Sequence, residues 1–318
     1  MTSPRAVVWM FDSGAEGFFP TSIYSLKKFC RAFYNRSLKL VVDCGVSAEF
    51  KNWLSAAAPE VQLLSVALPA PTSVVGKGES RPARVMRLRI ELSTILHRAV
   101  CEAAMPRIEA FLHVDPDTLF LSDPSAAFDK PWQGEDIRCV TEWDWNGEPK
   151  ANEQRFMRFL RESSFQNGCI PEHHKILAQF LNLEVGELQC MVTVNSGVWL
   201  ARAGSSLPEK WRRSYDALAH ADASVPAGML NPYSAEQNAL SLGIHRGEVV
   251  ARFLPRRFNY LPPRPPYTWP KNVSIAHFVT FASNWNRPCF RLWSHVRAEA
   301  IQSAFVPFGL AMPQFVDP

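Results

Sequence analysis

The sequence predicts an α/β fold in which a mostly parallel central sheet carries helices on both faces. Short apolar runs alternate with amphipathic segments through the first half, the pattern of strands joined by crossover helices. One apolar run, Ala110–Val114, stops at Asp115-Pro116-Asp117, as a buried strand does at a ligand-bearing sheet edge. The 318 residues are 47% hydrophobic and 20% charged, enough apolar material for one large α/β domain or two small ones. No repeat and no convincing linker divides the chain, so residues 1–318 are read as one domain with an insertion around 141–188 and a helical tail over 287–318.

Ala6–Phe11 is a short apolar run ending at Asp12 and reads as the first strand, followed by a glycine-containing loop and an amphipathic segment from Thr21 to Phe33. Leu38–Val42 is the second strand. Ser47 is placed to cap a helix that carries Phe50, Trp53 and Leu54 on one face. Val61–Val66 is a third strand, and residues 67–83, rich in Pro, Gly and Ser, read as a loop. Val85, Leu88, Leu92 and Ile95 recur at helical spacing and predict one helix over Val85–Leu96. After the Asp-Pro-Asp turn comes a second apolar run, Thr118–Leu121. The pattern turns irregular over 141–188, where Trp143 and Trp145 fall near the predicted ligand edge. Val192–Val194 and Val198–Ala201 flank Asn195-Ser196-Gly197, with Trp199 read as core. Leu207–Ala219 is a further helix, and the tail from Pro255 is heavy in Pro, Arg and aromatic residues.

The formal charge of +4 comes without a long Lys/Arg block, so no nucleic-acid partner is expected. No run of about 18 apolar residues would span a bilayer, and the N-terminal apolar run is too short for a secretory leader. A cytoplasmic location is expected. The seven cysteines are scattered singly without a CxxC pair, which fits buried small side chains in a reducing compartment. The stretch Arg287–Arg297, with Phe290 and Trp293, reads either as a helix packed on the domain or as a peripheral contact with an acidic membrane. The pair His173-His174 has no third ligand at sensible spacing.

Asp115 and Asp117 are the residues most suited to chemistry. Two carboxylates one residue apart at a strand end supply the oxygen donors that hard divalent cations prefer. A cation held there stabilises charge that develops on a departing phosphate. An Asp-x-Asp tripeptide alone is weak, and two acids in a surface turn are the ordinary alternative. The apolar runs on either side place this pair at a break inside core structure.

HVDPDTLFLSDPSAAF (113–128) resembles the aspartate-motif segment of family 8 glycosyltransferases, the glycogenin and lipopolysaccharide galactosyltransferase type. FDSG (11–14) with SIYSL (22–26), RVMRLRIELSTIL (84–96), VNSGVWLAR (194–202), SAEQNAL (234–240), RRFNYLP (256–262) and AHFVTFASNW (276–285) resemble further segments of that family in the same order. The resemblance implies a GT-A fold, a nucleotide-sugar donor that is a UDP-sugar, Mn²⁺ or Mg²⁺, and retention of anomeric configuration. It implies that Asp115, Asp117 and His277 hold the metal, a set in which the imidazole favours Mn²⁺ over Ca²⁺. It also places Asp12 and Ser13 on the uridine and ribose, Arg87 facing the donor, and Asn195, Glu236 and Gln237 at the donor sugar or acceptor. For Glu236 and Gln237 the alternative is an ordinary helix start capped by Ser234. The insertion would shape the acceptor side, the acceptor being a glycan, a lipid-linked sugar or a protein.

Two departures stand out. Where the family carries a glycine and a diphosphate-gripping lysine after the histidine, this chain has Thr280, Ser283 and Asn284 before Trp285, with Arg287 as the nearest substitute. Glu236 stands where the family carries Asp. A retaining enzyme uses either a carboxylate nucleophile such as Glu236 or same-face attack by the acceptor. The missing lysine favours a rival reading, a non-catalytic nucleotide- or carbohydrate-binding protein of the same fold. A nucleotidylyltransferase is disfavoured because FDSGAEGFFP holds no cation to cradle a triphosphate.

Overall fold

The computed structural model describes residues 5–71, 79–102, 107–141, 178–184, 187, 191–223, 235–261, 272–278, 291–303 and 305. Trp143, Trp145, His173, His174, Ser234, Thr280–Trp285, Arg287 and most of the 141–188 insertion lie outside them.

The first strand, β1 (Arg5–Phe11), shows why the sheet is covered on both sides. Ala6, Val8 and Met10 enter one apolar cluster while Val7, Trp9 and Phe11 enter another, so the two-residue strand period feeds two cores. β1 pairs in parallel with β2 (Ser37–Asp43), and β2 in parallel with β3 (Val61–Ser65). On its other edge β1 pairs in parallel with β4 (Ala110–Val114). Helices α1 (Phe19–Phe29), α2 (Arg31–Arg36) and α3 (Ala48–Ala57) cover the Trp9 face, where Phe19 meets Phe50 and Trp53 edge-to-face. Ser47 caps α3 through Phe50 N–H, as its position predicts.

The segment predicted as one helix over Val85–Leu96 is broken. It runs as α4 (Arg81–Leu88), a 3₁₀ turn (Arg89–Glu91) and α5 (Leu92–Cys101). The helix starts inside the expected loop because Ser80 caps it and Pro82 tolerates the first turn.

The sheet then reverses. β7 (Val194–Arg202) runs antiparallel between β4 and β6 (Ile137–Thr141), and β8 (Ala251–Phe253) closes the order β3-β2-β1-β4-β7-β6-β8. The reversal sets the start of β7 beside the end of β4. There β7 shifts register against β6, with Cys139 opposite Trp199 but Val140 opposite Asn195, so Ser196–Val198 bulge out next to the Asp turn. Bulges of this kind re-aim side chains near functional sites. Helices α6 (Leu207–Ala223) and α7 (Ala235–His245) pack on this side. Trp199 is fully buried, as expected of a core residue.

A two-stranded antiparallel sheet, β5 (Thr118–Phe120) with β9 (Ile275–His277), carries a third apolar cluster. The tail helix α8 (Arg291–Gln302) buries Trp293 in that cluster against Phe18 and Phe278. Trp293 therefore serves the core and is not offered to a membrane surface. Among the described residues no helix is long and apolar enough to cross a membrane. Cys30, Cys44 and Cys139 are free and buried, while Cys101 is exposed.

Asp43 ties the end of β2 to the following turn. Its Oδ1 accepts from Gly45 N–H (2.7 Å) and Val46 N–H (2.8 Å), and its Oδ2 faces Lys51 Nζ (2.8 Å) and Ser65 Oγ (3.0 Å). Gly45 needs its φ of 106°, a region open to glycine. Burial alone would raise the Asp43 pKa, but Lys51 and the donors of Val46, Gly45 and Ser65 outweigh it and lower the pKa. A depressed carboxylate stabilises the fold above the unfolded value of about 3.9 and loses that contribution as pH falls through the folded value. Asp43→Asn is therefore expected to cost about 1–3 kcal/mol at neutral pH. It should also flatten the loss of thermal stability as pH falls below about 5. Scanning calorimetry of both proteins checks this, and equal acid sensitivity would refute it.

Candidate active site

The Asp turn is fixed from three sides. Asp115 N–H donates to Gly197 O in the bulge (2.7 Å), and Thr118 Oγ1 donates back to Asp115 O (2.7 Å). Ser22 on α1 lies 3.2 Å from Thr118 Oγ1 and accepts from Trp9 Nε1 at 3.1 Å, while Ser25 accepts from Phe120 N–H at 2.9 Å. Two serines three residues apart on one buried helix face thus anchor β5. Opposite, Thr118 pairs with His277, and Phe278 N–H donates to Asp117 O (2.9 Å). The small β5–β9 sheet is what brings a distant imidazole to the acids.

Asp115, Asp117 and His277 meet in one buried cluster whose ligand atoms lie within 4.8 Å of one another. His277 Nε2 is 3.5 Å from Asp115 Oδ2 and 3.3 Å from Asp117 Oδ1. Donors on one octahedral ion with bonds of about 2.1 Å stand roughly 3 Å apart, so these three fit a single divalent cation. The hydrogen bonds behind His277 favour a proton on its Nδ1. Asn259 Nδ2 donates to Asn195 Oδ1 (2.9 Å), which leaves Asn259 Oδ1 as the acceptor for His277 Nδ1–H (3.2 Å). In the neutral ring, the form that ligates a metal, Nε2 is then the lone-pair nitrogen, and it is the one that faces the carboxylates. Asn195 Oδ1 also accepts from Gly197 N–H (2.9 Å).

Glu236 and Gln237 open α7 beside this cluster. Ser196 Oγ donates to Glu236 Oε1 (2.8 Å), and Ser196 N–H donates to Gln237 Oε1 (3.0 Å). The carbonyl ends of Asn195 and Gln237 are thus committed inward, and their NH₂ groups make no hydrogen bond among the described residues. Glu236 Oε2 is buried with no hydrogen-bond partner among the described residues.

Sequence reasoning placed an arginine here, but the one that arrives is Arg89. Its Nη2 contacts Asp115 Oδ1, and its Nη1 lies 3.2 Å from both Ser196 Oγ and Glu236 Oε1. Arg87 is held instead by Glu79, through Nε to Oε1 and Nη2 to Oε2, each at 2.9 Å. Arg89 was legible in principle. It stands four residues after Val85 and three before Leu92, on the apolar stripe of its helix, and a guanidinium on a buried stripe must be paired. His113 was also missed. It is fully buried, with its ring 5.2 Å from that of Trp199 and Nε2 3.5 Å from Asp115 Oδ1.

Asp12 and Ser13 lie at the carboxyl ends of β1 and β2. Asp12 Oδ1 accepts from Gly14 N–H (3.0 Å), and its Oδ2 accepts from Arg81 Nε (3.1 Å). Arg81 Nη2 reaches Cys44 O and Gly45 O at 3.0 and 3.2 Å. Arg81 is a half-exposed cation at the strand ends, within the segment 67–83 that the sequence presents as a loop.

The charges sort themselves. Burial would raise the pKa of Asp115, but Arg89, His113 and His277 outweigh it and bring it to about 2. Burial holds His113 below the ordinary histidine value, hence neutral. Burial also lifts Glu236 above the usual carboxylate value, despite Arg89 and Ser196. For His277 burial opposes protonation, yet Asp117 and Asp115 prevail and raise its pKa.

No family model and no curated protein sequence matches the chain. Its fold does match solved structures. The galactosyltransferase LgtC, solved with donor and acceptor sugar analogues, is 15% identical with a TM-score of 0.57, over 95% of this chain and 98% of that one. The bifunctional glycosyltransferase WbbM is 15% identical with a TM-score of 0.55, over 88% of this chain and 46% of that one. The glycosyltransferase GlyE of Streptococcus pneumoniae TIGR4 is 13% identical with a TM-score of 0.50, over 95% of this chain and 64% of that one. The mixed seven-stranded sheet with its reversed β7 is thus a GT-A fold, the architecture the sequence predicts.

Proposed function

We infer that this GT-A chain is a glycosyltransferase that moves a hexose from a nucleotide-sugar donor, a UDP-sugar, to a glycan, lipid-linked or protein acceptor with retention. The observation that carries the reading is the buried Asp115–Asp117–His277 cluster at the carboxyl end of β4, with Asn195, Glu236 and Gln237 beside it. Asp115, Asp117 and His277 would hold Mn²⁺ or Mg²⁺, which supplies Lewis-acid stabilisation of the leaving diphosphate. Asp12 and Ser13, at the ends of the neighbouring strands, would take the nucleoside, with Arg81 as the cation at that edge. The NH₂ groups of Asn195 and Gln237 would orient sugar hydroxyls.

Glu236 is poorly set for nucleophilic attack. Its Oε1 is shared between Arg89 and Ser196, and burial favours its protonated form. Same-face attack by the acceptor, with the proton passing to the leaving diphosphate, needs no enzymic carboxylate. Glu236→Gln is accordingly expected to keep transfer within about tenfold of the parent, whereas losing a true nucleophile would cost on the order of 10³-fold or more.

The decisive assay is transfer and hydrolysis across a panel of nucleotide sugars, with and without Mn²⁺. Mn²⁺-dependent turnover of a UDP-sugar is the expected result. Mn²⁺-dependent UDP binding with no turnover of any sugar would favour a binding protein instead.

A further inference from the structure

The two oxygens of Asp115 face different surroundings. Oδ2 lies toward His277 Nε2 at 3.5 Å and belongs to the metal cluster. Oδ1 is in contact with Arg89 Nη2 and has His113 Nε2 at 3.5 Å. Arg89 is itself fixed. Its side chain is about 5% exposed, and its Nη1 is 3.2 Å from Ser196 Oγ and Glu236 Oε1, so its partners come from the β4 end, the β7 bulge and α7. A guanidinium stays charged at any pH the fold survives, so Oδ1 keeps a charge-assisted hydrogen bond.

We propose that Arg89 is a positioning residue that restricts Asp115 to one-oxygen ligation and so selects for small octahedral cations over Ca²⁺. This rests on the reading of Asp115, Asp117 and His277 as metal ligands. Mg²⁺ and Mn²⁺ accept single carboxylate oxygens at octahedral positions, whereas Ca²⁺ takes six to eight oxygens and gains from bidentate carboxylates. An Asp115 whose inner oxygen is held by a buried cation is a poor bidentate ligand, because the guanidinium and a metal ion on that oxygen would repel each other. The imidazole of His277 also favours Mn²⁺, but Arg89 acts on a different ligand and is separable from it by mutation.

The test uses the full chain and the metals alone. Free Mn²⁺ is followed by electron paramagnetic resonance during titration, and Ca²⁺ is measured by competition, for the parent, Arg89→Met and Arg89→Lys. The parent is expected to prefer Mn²⁺. Arg89→Met should lower the Mn²⁺/Ca²⁺ affinity ratio about tenfold or more, and Arg89→Lys, which keeps a cation at Asp115, should stay within about threefold of the parent. An unchanged ratio in a folded Arg89→Met protein overturns the proposal. Because loss of a buried cation between two acids endangers folding, the parent alone supplies a second measurement. In crystals soaked with MnCl₂, ligation through Asp115 Oδ2 with the Arg89–Oδ1 contact intact supports the proposal. Bidentate Asp115, or Arg89 swung away, overturns it. A parent protein that binds neither ion overturns the metal-site reading itself and this proposal with it.

Discussion

Asp117→Asn is expected to weaken Mn²⁺ binding and to lower sugar transfer, each by about 10³-fold, while the fold survives. An amide in place of a buried carboxylate ligand removes a unit charge from a water-poor site, where stabilisation of the leaving group by the cation amounts to several kcal/mol. Asp117 is the cleaner of the two acids to change. Asp115 also contacts Arg89 and lies near His113, so its loss would leave a buried guanidinium with one carboxylate fewer and mix folding damage with lost ligation. Asp117 sits 8% exposed with His277 Nε2 at 3.3 Å. The measurement pairs a Mn²⁺ titration with transfer rates at saturating metal and a thermal melt without metal. Transfer within tenfold of the parent would remove Asp117 from the site. A collapse in melting temperature would make its role structural.

Much of this architecture was written in two-residue and helical periods. The strands β1, β2 and β4 appear as apolar runs because both faces of each are covered, and the Asp turn appears as an abrupt end to one of them. What periodicity cannot carry is direction and distant pairing. VNSGVWLAR reads as strand, but nothing local says that it runs against β4, and it is this reversal that sets Gly197 O on Asp115 N–H. His277 comes from a three-residue strand that, among the described residues, pairs with β5, another three-residue strand, and with a bridge at Tyr260. Such short pieces have no period of their own, so their placement needed the family resemblance.

The arginine choice illustrates a different limit. The family resemblance points to Arg87, whereas the apolar stripe of 85–96 sets Arg89, not Arg87, between Val85 and Leu92. The structure separates them by partners: Glu79 neutralises Arg87, and Arg89 turns inward through a 3₁₀ turn to meet Asp115 and Glu236. Whether a residue faces a ligand depends on which counter-charge the rest of the chain delivers.

Gly197→Ala carries the most specific expectation, because only close approach demands the glycine. Its φ is not in the left-handed region, so backbone freedom is not the reason. A Cβ there would stand 2.1 Å from His277 Cε1, 2.7 Å from its Nδ1 and 2.8 Å from Asp115 Oδ2. The imidazole cannot retreat without breaking its bond to Asn259, which is braced in turn by Asn195. One methyl group should therefore displace a ligand by about an ångström, a shift that costs around 10²-fold at a site needing exact geometry. Mn²⁺ affinity is expected to fall about 100-fold, with about 1–3 kcal/mol lost from stability through overpacking. The discriminating control is a cycle with His277→Ala. If the methyl group acts through the imidazole, Gly197→Ala in that background should change Mn²⁺ affinity by no more than about threefold, since neighbours that share one function are not additive. An undiminished 100-fold effect there would mean that the alanine acts through Asp115 Oδ2 alone. Parent-like Mn²⁺ binding by Gly197→Ala itself would mean that His277 does not stand against the β7 bulge when the ion is bound.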